Sequence, residues 1–164
     1  LCRMAGLLRW APDPSIKAST LLAKRSSGSA DVKYQVFRTE LGYLGVGWLD
    51  GVVDQLILGE ATRRATLRRL AIKEVQLEDE TAAMENLADR LVKYALGAEV
   101  DFSTTEINLA GRTEFQQAVL HCCQDIPWGQ SLSYGELAQL AGYPRAARAV
   151  GGVMRTNRIP LIVP

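Results

Sequence analysis

Apolar and polar residues change period several times along this chain, and each change marks an element. Tyr34-Gln35-Val36-Phe37-Arg38 alternates, Leu41-Gly42 offers a turn, and residues 43–48 alternate again. Asp50-Gly51 is a tight-hairpin signal, and residues 52–58 read as a third strand. Three short strands in succession predict an antiparallel meander. The period then lengthens to that of a helix. Residues 61–72 set Ala65, Leu67, Leu70 and Ala71 among arginines. Residues 80–96 place Ala83, Leu87, Leu91 and Ala95 four apart, and Gly97 closes the run. Residues 31–100 are thus expected to form an N-terminal α+β domain, followed by an extended connector over 101–110.

Helical periodicity returns after the connector. Thr113 is suited to cap a helix over 114–125, with Phe115, Val119, Cys122 and Ile126 along one side. Pro127-Trp128-Gly129 breaks it. Ser133 caps the next helix, with Glu136 at the capping-box distance; that helix runs to Ala141, and Gly142 sits at its C-terminal turn. Tyr143-Pro144 turns the chain into a third helix over 145–155, and residues 159–163 read as a short apolar strand. Two short helices joined by a Gly-containing turn form a helix-turn-helix pattern. The second of them carries Gly151 and Gly152, which cost a helix about 1 kcal/mol each relative to Ala. With Ala146, Ala147 and Ala149 it is nearly bare. Such a helix can press into a groove, with Arg148 and Arg155 supplying phosphate contact. It can equally pack against a neighbouring helix while its arginines snorkel out.

Composition narrows the class without deciding between these. Apolar residues make up 48% and charged residues 23%, an ordinary globular balance. No apolar run approaches the ~20 residues of a membrane span. The net charge of +1 hides an uneven distribution. Arg3, Arg9, Lys17, Lys24 and Arg25 face only Asp13 within residues 1–30, and Arg145, Arg148, Arg155 and Arg158 face only Glu136 within 129–164. A basic cluster on one helix is the footprint that a phosphate backbone attracts. Cys2, Cys122 and Cys123 give an odd count containing an adjacent pair, which makes no disulfide framework and favours a reducing intracellular setting, cytoplasm or nucleus. His121-Cys122-Cys123 lacks a second ligand pair at zinc spacing, so no metal is expected. Residues 1–30 have no sustained period and end in a linker composition, Lys24-Arg25-Ser26-Ser27-Gly28-Ser29-Ala30, which reads as a flexible extension.

A longer ordered set of residues carries a resemblance. Phe115-Gln116-Gln117-Ala118-Val119, Ile126-Pro127-Trp128-Gly129, Ser133-Tyr134, Leu137-Ala138, Ala141-Gly142 and Pro144 come first. Ala146-Ala147-Arg148-Ala149-Val150-Gly151-Gly152, Asn157 and Ile162-Val163-Pro164 follow in register. Residues 111–164 resemble the C-terminal domain of O6-alkylguanine-DNA alkyltransferases, and the preceding unit is similar, more loosely, to that family's N-terminal domain. The resemblance implies a ribonuclease-H-like α+β unit followed by a mainly helical, winged helix-turn-helix-type DNA-binding domain that lacks its C-terminal part here.

It also implies roles. The bare helix would enter the minor groove, and the damaged guanine would be flipped out of the stack. Arg148 matches the arginine that replaces the flipped base, and Tyr134 the tyrosine that crowds the target's phosphate. Met154 would line the alkyl pocket together with Tyr134 and Asn157, the last supporting the loop before the nucleophile. Gln116, Ser133, Gly135 and Ala147 lie where family members touch the DNA backbone, and Gly151 and Arg155 belong to the same surface. Tyr143 departs from the family, where the position is often Asn. The family's signature is Pro-Cys-His-Arg-Val, its cysteine attacking the alkyl carbon as a thiolate. The chain given ends Ile162-Val163-Pro164, so the acceptor is expected just after Pro164 and no alkyl transfer is expected from the 164 residues themselves. The implied partner is double-stranded DNA containing O6-alkylguanine, bound by a monomer without metal, organic cofactor or membrane. Two other readings are a non-enzymatic alkyltransferase-like protein that binds DNA damage, and a regulator using the helix-turn-helix as a plain DNA-binding module.

Overall fold

The computed structural model describes residues 32–70 and 82–164. Three strands, β1 (Val32–Thr39), β2 (Gly42–Leu49) and β3 (Val52–Glu60), form an antiparallel meander in the order β1-β2-β3. The Asp50-Gly51 turn works because both residues take positive φ, 51° and 86°, the twist a two-residue hairpin needs. Register pairs Val36 with Gly45 and Phe37 with Leu44. Alternation sends Leu44, Val46 and Trp48 to one face, where they meet Phe37, Val53 and Leu56.

The two faces are covered differently. Helix α1 (Arg63–Arg69), capped by Thr62, lies over Gly45: a Cβ there would stand 2.5 Å from Thr66 Cγ2 and 2.7 Å from Leu70 Cδ1. Glycine at 45 is therefore what lets the helix rest on the sheet. On the other face, α2 (Ala82–Ala95) buries Met84, Leu87, Ala88 and Leu91. The expected helices over 61–72 and 80–96 match these two in place. Their far ends at Ala71-Ile72 and Glu80-Thr81, like the side chain of Ala83 and all of residues 1–30 with Cys2, lie outside the described residues. The connector runs beside β3, where Val53 N–H donates to Glu106 O (3.1 Å) and Asn108 N–H to Val53 O (2.7 Å).

Three helices follow, α3 (Glu114–Gln124), α4 (Tyr134–Leu140) and α5 (Ala147–Arg155). They enclose a second core of Val119, Leu120, Cys123, Leu137, Ala138, Val150 and Val153. Three expectations need correction. The buried stripe of α3 runs through Leu120 and Cys123, while Phe115, Cys122 and Ile126 are only partly buried, because the helix turns its 119–123 edge to α5. The last helix begins at Ala147 rather than Arg145, since Arg145 has φ 79° and Ala146 is the N-cap. Residues 159–163 form turns and not a strand. Pro160 has no N–H to donate to a ladder, Leu161 takes φ 73°, and Val163 N–H folds back to Ile159 O (2.9 Å). This segment pins the halves together: Ile159 and Ile162 enter the sheet core, Val163 enters the helical core, and Leu56 N–H of β3 donates to Arg158 O (2.8 Å). No helix among the described residues is long and apolar enough to cross a membrane.

Candidate nucleic-acid interface

The site begins at two helix N-termini whose first N–H groups need partners. At α4, Ser133 Oγ accepts from Glu136 N (3.2 Å), and the Glu136 carboxylate accepts from Ser133 N and Oγ, both at 2.7 Å. These bonds hold the Glu136 carboxyl below its ordinary range. At α3, Thr113 Oγ1 accepts from Gln116 N (3.3 Å), and Gln116 Oε1 accepts from Thr113 N (3.0 Å). Gln116 and Ser133 are thus fixed in place by capping.

Tyr134 is the first residue of α4 and 52% exposed, although it is a large aromatic ring. Its ring lies over Gly151 of α5: a Cβ at Gly151 would stand 3.2 Å from Cε2 and 3.3 Å from Cδ2. Gly152 has nothing within 4 Å of the corresponding point and faces solvent. The two mid-helix glycines therefore have different causes, one making room for a ring and the other leaving the surface open. Arg148 and Arg155 are exposed on α5, Ala147 is half-buried at its start, and Gly135 is exposed on α4. Together Tyr134, Arg148, Gly151, Gly152 and Arg155 form a low, cationic helix surface bearing one projecting aromatic ring.

Met154 and Asn157 sit at the far end of α5. Met154 packs against the helical core, and its carbonyl accepts from Asn157 N (3.1 Å). Asn157 Nδ2 donates to Val163 O (2.8 Å), and its Oδ1 accepts from Ile159 N (2.9 Å). One side chain therefore ties both ends of the 159–163 turn. A cleft of about 650 Å³ opens nearby, lined by Tyr94, Asp101, Phe102, Trp128, Ile162 and Pro164. Tyr134, Met154 and Asn157 do not line it, so this cleft is not the pocket expected of them.

The described thiols are poorly placed for nucleophilic work. Burial, then the neighbouring Cys122, pushes the Cys123 thiol up to about 11, and its Sγ donates to Pro164 O (3.0 Å). Cys122 is raised by burial and by Asp125. Among the described residues no three His, Cys, Asp or Glu side chains gather as a metal site.

Sequence reasoning missed three supports. Phe115 meets Tyr143 edge-on at 4.9 Å between centroids, joining the start of α3 to the turn before α5. Arg112 Nη2 donates to Thr156 O (3.4 Å), joining it to the end of α5. Arg145 holds its left-handed conformation in the turn itself, and nothing in the residue type announces that.

Comparison with known proteins agrees with the geometry. Residues 114–164 match the family model described as the DNA-binding domain of 6-O-methylguanine DNA methyltransferase. The chain is similar to the methylated-DNA–protein-cysteine methyltransferase of Mycolicibacterium paratuberculosis, 30% identical over 133 residues, covering 81% of this chain and 75% of that one. The protein of the same name from Methanothermobacter thermautotrophicus is 31% identical over 121 residues, 74% of this chain and 62% of its own length. The Mycobacterium leprae protein is 42% identical over 85 residues, and the chain spans half the length of that relative. Among solved structures, the Mycobacterium tuberculosis O6-methylguanine methyltransferase superposes with a TM-score of 0.59 at 32% identity, covering 81% of this chain and 75% of that one. The same enzyme in complex with DNA gives 0.55 at 30% identity, covering 80% and 74%.

Proposed function

Because the chain belongs to the methylated-DNA–protein-cysteine methyltransferase family, we propose that it serves the repair of O6-alkylguanine, its α4–α5 surface holding duplex DNA. The observation that carries this reading is the exposed Tyr134 ring seated over Gly151 beside exposed Arg148, on a helix stripped of large side chains. A bare helix fits the shallow approach that a minor groove demands. Arg148 then fills the space of the extruded guanine, Tyr134 crowds the target phosphate, and Arg155 contacts the backbone. Gln116, Ser133, Gly135 and Ala147 border the same surface.

In the reaction, a cysteine thiolate attacks the alkyl carbon; the C–S bond forms as the C–O6 bond breaks, and guanine leaves restored. We place the acceptor at the family's position after Pro164, with Asn157 bracing the turn that leads to it and Met154 beside that turn. We do not assign Cys122 or Cys123 as the acceptor, since burial pushes both thiols up and the Cys123 Sγ is engaged with Pro164 O. We assign residues 31–100 to a ribonuclease-H-like unit, 101–110 to a connector and 111–164 to a winged helix-turn-helix-type unit; the helical core of α3, α4 and α5 supports that division, and Ile159 and Ile162 cross it to reach the sheet core. The free thiols Cys122 and Cys123 fit a reducing intracellular compartment, and we take the working unit to be a monomer without cofactor.

The test is binding of a duplex carrying one O6-methylguanine, with protein mass recorded on the same samples. Arg148→Ala is expected to weaken binding about tenfold or more, and the mass to stay unchanged. Equal affinity for both proteins at fixed low salt contradicts the assignment of α5, and a gain of one methyl contradicts the assignment of the thiols.

A further inference from the structure

We propose that the outward face of α1 is a second contact surface for a phosphate backbone, engaging a DNA segment other than the one held by α5. Four of the seven residues of α1 are arginines, and its first turn contains no acid. Arg63 and Arg64 sit at the helix end whose N–H groups already carry partial positive charge, an arrangement that works against the helix itself. Arg64 and Arg68 are exposed four residues apart, where like charges repel. Among the described residues only Arg69 of this helix has an ion-pair partner, Glu60 at 2.6 Å.

Packing does not call for Arg64 or Arg68 either, since both are exposed. Thr66 and Leu70 seat α1 on Gly45, and Gln55 Nε2 donates to Arg69 O. A further cation joins the face from β1. Tyr34 and Val36 point towards α1, so alternation puts Arg38 on that side, and its cross-strand partner Tyr43 packs against the same cluster. Arg38 is exposed. Arg38, Arg64 and Arg68 are therefore three exposed guanidinium groups on one side of the sheet, and their fork geometry suits spaced phosphate oxygens. The sheet lies between these groups and the core that receives Ile159 and Ile162, so they address a different stretch of nucleic acid from α5. The inference rests on the DNA-holding reading only for the choice of duplex as ligand.

Stoichiometry tests it. A short duplex titrated into the 164-residue chain at low salt, read by native mass spectrometry, is expected to give a tight first step and a weaker second one. Arg64→Ala/Arg68→Ala is expected to weaken the second step about tenfold or more while leaving the first unchanged, since each lost phosphate contact removes about one released counterion. Arg64→Lys/Arg68→Lys, which keeps the charge, is expected to restore much of it. Arg148→Ala acts on the first step alone, so failure of the α5 reading is seen separately. One duplex per wild-type chain overturns the proposal, as does an Ala variant with an intact second step. It is equally overturned if the Ala variant changes self-association without DNA, which would make the face a contact between copies.

Discussion

Tyr134 stands outside the fold because Gly151 leaves room beneath its ring, and Gly152 keeps the next stretch of α5 free of any side chain. At a helical position with open space, Ala is favoured over Gly by about 1 kcal/mol, so stability alone would replace Gly152. Gly152→Ala is expected to raise resistance to urea by about that amount and to weaken duplex binding, because the added methyl stands where a groove wall would approach. Urea unfolding and a binding titration on the same preparation check both halves; a variant that is more stable and binds equally well removes the groove from the account. Asn157 and Cys123 show another kind of residue-level control. Each donates to a main-chain carbonyl near the end of the chain, Val163 O and Pro164 O, so that segment is held by side chains rather than by a ladder.

At the level of elements, what was legible was whatever local chemistry decides. Period-two alternation and Asp50-Gly51 located the meander, and the Thr113–Gln116 and Ser133–Glu136 pairs located the starts of α3 and α4. What remained hidden depended on tertiary choice. An apolar run such as Ile159 to Val163 reads alike as a strand or as a tucked turn, and only its two separate cores make it the latter. Arg145 looks like a helix opener, yet its left-handed backbone delays α5 by two residues. The Ser133–Glu136 cap also carries a pH signature. Its folded carboxyl titrates below the ordinary range, first through the Ser133 side chain and then its backbone N–H. The sign follows: the cap's contribution is complete above the ordinary carboxylate range and is lost as pH falls through the lowered value. Glu136→Gln is expected to flatten the acid limb of stability against pH; identical limbs for the two proteins would show that the charge at the cap contributes nothing.

Over the whole molecule, the sheet unit and the helical unit are locked by the 157–164 turn and by the connector along β3, so the α4–α5 surface is presented from a braced platform. The candidate residues of that surface could be picked out because their order along the chain is so specific. Their arrangement was not, since the seating of Tyr134 on Gly151 and the bracing of Asn157 arise only when helices meet. The proposed function has this surface extrude an alkylated guanine from duplex DNA, with Arg148 in its place. The most direct measurement is the fluorescence of 2-aminopurine placed beside O6-methylguanine in a short duplex, because loss of stacking on a flipped neighbour brightens it. Saturating wild-type protein is expected to raise the signal clearly and Arg148→Ala at equal saturation to raise it much less, whereas a bound duplex with unchanged fluorescence would contradict extrusion by this surface.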